Sequence, residues 1–235
     1  LHKDKLFADA VAVGPDHEKA GENIGRYIAG LGHEHIAFIT HVPISVAWVS
    51  KRLRALGRLF PINDSNAKSE MKVFSMPEGI SRPFRGLGKK IRSELRKGVF
   101  SEHLKAYLPT QYLHTQLVVP SWRLEEMLSL AARMEEVFQA VLRDERISCW
   151  VCVNDEMGVL ALKFLERNGI PAQKQIAVLG FDNHPISLMA GLTTYDFRYE
   201  DLGALAVNAL AYPLSSRTAK GLKTVEGLLV ERRST

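Results

Sequence analysis

Two acidic positions stand where apolar runs of the chain end. "VCVND" closes on Asn154 and Asp155, and "VLGFD" closes on Asp182. A carboxylate held at the end of a buried strand has three uses. It can cap the following helix, take part in acid–base chemistry, or accept hydrogen bonds from ligand hydroxyls or a cationic ligand. Asp155 directly precedes "EMGVLALKFLERNG", so capping is its favoured reading. Asp182 is flanked by Gly180 and Asn183 and followed by Pro185, and for it all three uses stay open. Catalysis would need companions, and the sequence supplies few. It has no G-x-x-x-x-G-K-[ST] phosphate loop, no G-x-G-x-x-G after a strand, no H-E-x-x-H and no G-x-S-x-G. His33, His35 and His41 are close in sequence but are not read as a metal site. The strand ends read as built to bind, with no catalytic residues, no metal and no cofactor, and the chain is read as not an enzyme.

These acids need elements to position them. Runs with little polar alternation, "AVAV" (10–13), "HIAFIT" (35–40), "TQLVVP" (115–120), "ISCWVCV" (147–153) and "QIAVLGF" (175–181), read as strands buried on both faces. Helical patterns lie between them, at 17–31, 46–59, 123–143 and 156–168. The third repeats Leu124, Met127, Leu128, Ala131, Met134, Phe138, Val141 and Leu142 at helical spacing. The fourth stops at Gly169, with Pro171 just beyond. Strand and helix in alternation predict an α/β fold, a parallel sheet flanked by helices. In such sheets ligands gather beyond the carboxyl ends of the strands, where Asn154, Asp155 and Asp182 stand.

The 235 residues are 46% hydrophobic, enough for a substantial core, and no run approaches 18 uninterrupted apolar residues, so no membrane span is expected. Cys149 and Cys152 are the only cysteines. Their C-x-x-C spacing could serve redox or metal chemistry. Their place inside "ISCWVCVND" instead predicts a buried structural pair, and with it a reducing, cytoplasmic location. Charge is uneven: residues 51–100 hold 13 Lys/Arg against 4 Asp/Glu, within a net charge of +5. Residues 61–114, including "RPFRGLGKKIRSELRKGVF", interrupt the α/β rhythm and read as an insertion. A short basic helix is expected near 86–97 and a second amphipathic piece near 101–107. Clustered basic charge can bind phosphates, but the segment has few aromatics and no recognition-helix pattern. A solvated face or a subunit contact is the preferred reading.

The stretch from "CWVCVNDEMGVLALKFLERNGIPAQKQIAVLGFDNHP" through "LTTYDFRYEDLGALAVNAL" resembles the effector-binding core of lac-repressor-type bacterial transcription regulators, the LacI/GalR family. In that family a strand ends Asn-Asp before a helix. Gly-Ile-x-x-Pro, where this chain reads Gly169-Ile170-Pro171, a strand ending Gly-Phe-Asp, Leu-Thr-Thr and a Leu-Gly-x-x-Ala helix then follow in order. "YIAGLGHEHIAFIT" is similar to the family's Leu-Gly-His segment, "RLRALGRLF" to its Arg-x-x-Gly helix start, and "LLVERRST" to its final strand and Arg-x-Ser-Thr ending. The likeness covers residues 10–60 and 115–235.

The resemblance implies the type I periplasmic-binding-protein-like fold and a role for particular positions. Asn154 and Asp182 fall on positions that hydrogen-bond effector hydroxyls. Arg54 falls on the effector-contacting Arg of the Arg-x-x-Gly motif, with Ser50 one turn earlier. Trp122 falls where an aromatic ring packs on the ligand, although a core aromatic at a helix start fits it equally. A ring against the apolar face of a sugar, with Asp, Asn and Arg on its hydroxyls, is physically coherent. The family's helix-turn-helix and most of its first subdomain have no counterpart, so a fragment of a longer regulator is expected. Residues 14–192 and 223–235 would form the C-terminal effector subdomain, with the insertion 61–114. Residues 1–13 and 193–222 would be the remnant of the N-terminal one. The implied partners are a small effector, most naturally a sugar, operator DNA through a head outside this chain, and a second copy in a homodimer. The alternatives are a solute-binding protein feeding a sugar transporter and, resting only on the unpaired acids, an α/β enzyme.

Overall fold

The computed structural model describes residues 12–64, 66–76, 121–170, 176–212 and 222–235. Among them the elements run β1 (Ala12–Val13), α1 (His17–Gly30), β2 (His35–Thr40), α2 (Ala47–Leu56), β3 (Glu70–Ser75), α3 (Ser121–Leu142) and β4 (Cys149–Cys152). They continue with α4 (Asp155–Arg167), β5 (Ala177–Phe181), α5 (Pro185–Ala190), β6 (Thr193–Asp196), α6 (Tyr199–Ala211), β7 (Leu222–Lys223) and β8 (Leu228–Val230). The strand expected at 115–120, the short helix expected near 86–97 and the amphipathic piece near 101–107 lie outside the described residues.

Among the described residues six strands form one sheet in the order β3-β2-β4-β5-β6-β8, parallel throughout except for the last pair, β6 with β8. β1 and β7 make a separate two-stranded parallel sheet. Every residue of β4 and β5 is buried, as their unalternating sequences predict. The chain steps outward from β2 to β3, then crosses back to β4 and on to β5. α1 packs against α2, and α3 against α4. The reversal lies between β2 and β4, so the crevice of this sheet opens at their carboxyl ends.

Residues 61–114 are not wholly an insertion. Residues 70–75 form β3, paired in full register along β2, from His35 with Glu70 to Thr40 with Ser75. Among the described strands β3 is last in the order, and "EMKVFS" carries Lys72 and Ser75 among apolar residues, so it forms no unbroken apolar run. The boundary expected at residue 193 also differs from the sheet, because β6 at 193–196 pairs with β5.

Local chemistry sets the helix ends. The Asp16 side chain accepts from the Lys19 N–H and caps α1. The Asn154 side chain accepts from the Met157 N–H at 3.0 Å and caps α4. The cap is thus Asn154, one residue before the Asp155 favoured from sequence, because Asn154 has the extended backbone that a cap needs (φ −155°, ψ 175°). α1 packs closely on α2 at Gly21, where a Cβ would stand 2.6 Å from the Arg52 carbonyl oxygen and 2.8 Å from the Ala55 Cβ. The core between the layers centres on Trp150, which stacks with Phe138 and Phe164. Cys149 and Cys152 are free, buried thiols within it, and burial raises both above the ordinary thiol value.

The chain's last residues close the sheet. Ser234 accepts from the Thr193 N–H at 2.7 Å and donates to the Val178 carbonyl at 2.6 Å. The Thr235 hydroxyl meets those of Tyr27 and Thr193. Arg232 donates to the Leu192 carbonyl, the Ser187 hydroxyl and the Asn183 side-chain oxygen.

Candidate functional site

β5 ends in Phe181, and the chain then turns sharply. Asp182 and Asn183 take φ of 104° and 49°, a left-handed conformation unusual for residues with side chains. This turn leaves the Asp182 carboxylate about one-third exposed beyond the carboxyl ends of the strands. Its Oδ1 lies 3.5 Å from the Tyr199 hydroxyl, which donates to it, and 3.6 Å from an Arg52 nitrogen. Both contacts are long. Burial pushes the Asp182 carboxyl above the usual carboxylate value, and Arg52 opposes that shift.

Arg52 comes from the middle of α2 and is 2% exposed. One nitrogen donates to the Val153 carbonyl, just past β4, at 2.6 Å. The Nε–H donates to His17 Nδ1 at 3.3 Å, and a second terminal nitrogen lies 3.2 Å from the same atom. The guanidinium carbon stands 4.6, 4.2 and 4.9 Å from the ring centres of Trp48, Phe181 and Phe197, so aromatic faces hold the cation where water does not. Desolvation brings its value down to about 10, partly offset by Asp182, so it stays charged at neutral pH. His17 packs edge-on to Phe197 at 5.1 Å. Burial first, and the Arg52 charge second, lower it to about 4. It is therefore neutral at pH 7, with Nδ1 accepting from Arg52 and the proton on Nε2.

Asp155 lies behind this front, 1% exposed. Its Oδ2 accepts from the His184 N–H at 2.7 Å and its Oδ1 from the Thr194 hydroxyl. Burial raises it to about 7, against the hydrogen bonds it accepts. A Cβ on Gly180 would overlap its carboxylate, so the glycine makes the room for it.

The sequence-expected residues are only partly brought together. Asp182 stands at the centre. Asn154 is half-buried at the end of β4, with its carbonyl oxygen spent on the cap. Ser50 is half-buried in the first turn of α2. Trp122 lies in the first turn of α3, and its side chain is outside the described residues. Arg54 is not at the site: it is exposed, and Arg52 faces Asp182 instead. Two residues along a helix turn about 200°, so Arg52 and Arg54 cannot share a face. "RLRA" carries the same Arg-x-x spacing as "RALG" with Ala55 in place of glycine, and the apolar face of Val49, Leu53 and Leu56 selects Arg52. Trp48, Phe197, Tyr199 and His17 were not singled out from sequence. An Arg on an otherwise apolar helical face was the available signal for the group.

The arrangement offers a partly open carboxylate, a buried cation beside it, and rings around both. It suits a ligand with several hydroxyls and an apolar face. Among the described residues no group of three or more His, Cys, Asp and Glu is placed to hold a metal ion.

Comparison with known proteins agrees with this architecture. The model of the periplasmic binding protein-like domain family matches residues 91–235. Among solved structures, the periplasmic binding ribose operon repressor protein from Lactobacillus acidophilus is similar over 97% of this chain and 65% of its own. Its TM-score is 0.58, at 16% identity. A sugar-binding transcriptional regulator (LacI family) from Escherichia coli, complexed with phosphate, is similar over 95% and 62%, with TM-score 0.59 and 17% identity. A LacI family transcriptional regulator from Arthrobacter sp. FB24, in complex with lactose, is similar over 94% and 63%, with TM-score 0.56 and 19% identity. The chain thus spans less than two-thirds of the length of each. At these identities the likeness shows the fold: a mostly parallel sheet flanked by helices, of the type I binding-protein-like kind. No curated protein sequence matches the chain.

Proposed function

Because the chain belongs to the periplasmic binding protein-like domain family, we propose that it is the ligand-sensing part of a transcription regulator and that its effector is a sugar. The observation that carries this reading is the Asp182 carboxylate, partly exposed at a strand end with its partners at 3.5 and 3.6 Å. Its loosely used oxygens are free to accept from hydroxyls, and the ring of Trp48 or Tyr199 can meet the apolar face of a pyranose or furanose. Arg52 takes the cationic role that the family motif had placed on Arg54. Asn154 offers its amide nitrogen, and Ser50 and Trp122 complete the proposed contact set.

The regulator reading, in preference to a transporter's solute-binding protein, is supported by the similar structures, each of which is named as a repressor or transcriptional regulator. The two-stranded sheet of β1 and β7 stands apart from the main sheet. With α6, whose Val207 and Leu210 are 64% and 81% exposed, it would be the start of a second lobe, and the effector would bind between the lobes. Ligand-dependent lobe orientation would then set operator affinity through a DNA-binding head, in a cytoplasmic homodimer. The effector can shift that balance only by its differential affinity for the two orientations.

Calorimetric titration with D-ribose, D-glucose, D-galactose and lactose tests the reading. At least one sugar should bind, and Asp182→Ala should weaken it tenfold or more. No binding by any of the four, or equal binding by wild type and Asp182→Ala, would overturn it.

A further inference from the structure

Asp182 and Asn183 are consecutive non-glycine residues in the left-handed region. Such backbone persists only where its surroundings over-determine it. Here the Asp182 N–H donates to the Tyr195 carbonyl, and the Asn183 side chain bridges Asp196 and Arg232. The two peptide N–H groups that follow Asp182 lead to one carboxylate. His184 N–H donates to Asp155 directly. Asn183 N–H donates to the Thr194 hydroxyl at 3.3 Å, and that hydroxyl donates in turn to Asp155.

The N-cap of α4 does not account for this acid. Asn154 already caps α4. Burying a carboxylate in the core is unfavourable unless it meets a polar need, and Gly180 is kept free of a side chain where the carboxylate lies. The need it meets is the turn at 182–184.

We propose that Asp155 is a positioning residue for the effector site: it holds the turn that aims the Asp182 carboxylate outward. The proposal rests on Asp182 as an effector contact. Asp155 itself touches no ligand, because it is buried behind the turn. Asparagine at this position keeps an oxygen for the His184 N–H and can donate to Thr194, so it restores the turn, whereas alanine removes both links.

Amide hydrogen exchange followed by NMR tests this without any ligand. In Asp155→Ala the His184 and Asn183 amides should exchange at least tenfold faster than in wild type, with Val151 and Leu179 still protected. Asp155→Asn should return both amides to near wild-type protection. Should Asp155→Ala lose the protection of Val151 and Leu179 as well, Thr194→Val decides, since it removes only the hydroxyl relay: Asn183 alone should then exchange faster. Unchanged exchange at His184 and Asn183 in a folded Asp155→Ala, or at Asn183 in Thr194→Val, would overturn the proposal.

A second arm uses whichever of the four sugars binds wild type most tightly. Asp155→Ala should weaken it about as much as Asp182→Ala does, and the double variant should bind no more weakly than Asp182→Ala alone. Losses that multiply in the double variant would instead show Asp155 acting apart from Asp182 and overturn the proposal. If none of the sugars binds, the effector reading fails, while the exchange result still decides whether Asp155 holds the turn.

Discussion

The Arg52 guanidinium comes within 3.6 Å of the Asp182 carboxylate, yet it makes its shortest hydrogen bond, 2.6 Å, to the backbone carbonyl of Val153. The cation is thus fixed by the end of β4, by His17 and by three aromatic rings, and it needs no rigid ion pair to stay in place. That leaves the carboxylate to be satisfied by something else. A pair locked bidentately would have to be broken by an incoming ligand. At this distance the carboxylate, one-third exposed, keeps room to accept further hydrogen bonds while the buried cation lends it electrostatic support.

Arg52 should matter far more than Arg54. Arg52→Ala removes a buried cation, leaves the Val153 carbonyl short of a donor, strips the cation from three rings and opens a cavity. A loss of about 3–5 kcal/mol in unfolding free energy is expected. Arg54→Ala removes an exposed side chain and should stay within about 0.5 kcal/mol of wild type. Urea unfolding of the two variants checks this. Similar midpoints for both would contradict the place given to Arg52.

Gly21 should act on the site at a distance. A methyl group there would meet the backbone of Arg52 and the Cβ of Ala55, neither of which is a flexible side-chain end. α1 and α2 would have to move apart, carrying Arg52 away from Val153 and Asp182. Gly21→Ala should therefore destabilise by about 1–3 kcal/mol, despite alanine's better helix propensity. Gly30, in the last turn of the same helix, has open space around it, so Gly30→Ala should cost far less. Paired thermal melts of the two variants give the comparison, and equal losses would count against a tight crossing at Gly21.

Much of this was readable from the residues, for reasons that differ by element. β4 and β5 announced themselves because a strand buried on both faces needs no polar alternation, and Asp182 stood out as the polar residue ending such a run. β3 was not legible because it carries polar residues such as Lys72 and Ser75 within a stretch of high charge. Arg52 is not legible in motif spacing, because it is Arg54 that stands three residues before Gly57. The face holding Val49, Leu53 and Leu56 distinguishes Arg52 from Arg54, and the spacing alone does not. Asp155 looked like a cap because it begins a helix. Its neighbour took that role, and only three-dimensional proximity to Thr194 and His184 reveals what the carboxylate does. His17 and Arg52 lie 35 residues apart in sequence, and no local pattern links them.

The buried Asp155 should also leave a signature in the pH dependence of stability. Its carboxyl is raised from 3.8 to about 7 in the folded protein, chiefly by burial. Between those values the native state keeps a proton that the unfolded chain has released. Stability from this group is therefore greatest below about pH 4 and declines as pH rises towards 7, by up to about 4 kcal/mol at 1.36 kcal/mol per unit. Charges facing the group set where the decline ends: Asp182 favours the protonated form, while Arg52 and Arg232 favour the ionised one. His17 works in the opposite sense. Lowered from 6.5 to about 4, it makes stability rise as pH climbs through that window. The two effects overlap in wild type, so a single melting curve series would show a muted slope. Asp155→Asn removes one of them and keeps the other. The difference in unfolding free energy between Asp155→Asn and wild type should shift in favour of the variant from pH 4.5 upward and level off above about pH 7.5. A difference that stays flat across that range would mean that Asp155 titrates in the folded protein as it does in the unfolded chain, and that its carboxylate is not held in the buried setting described.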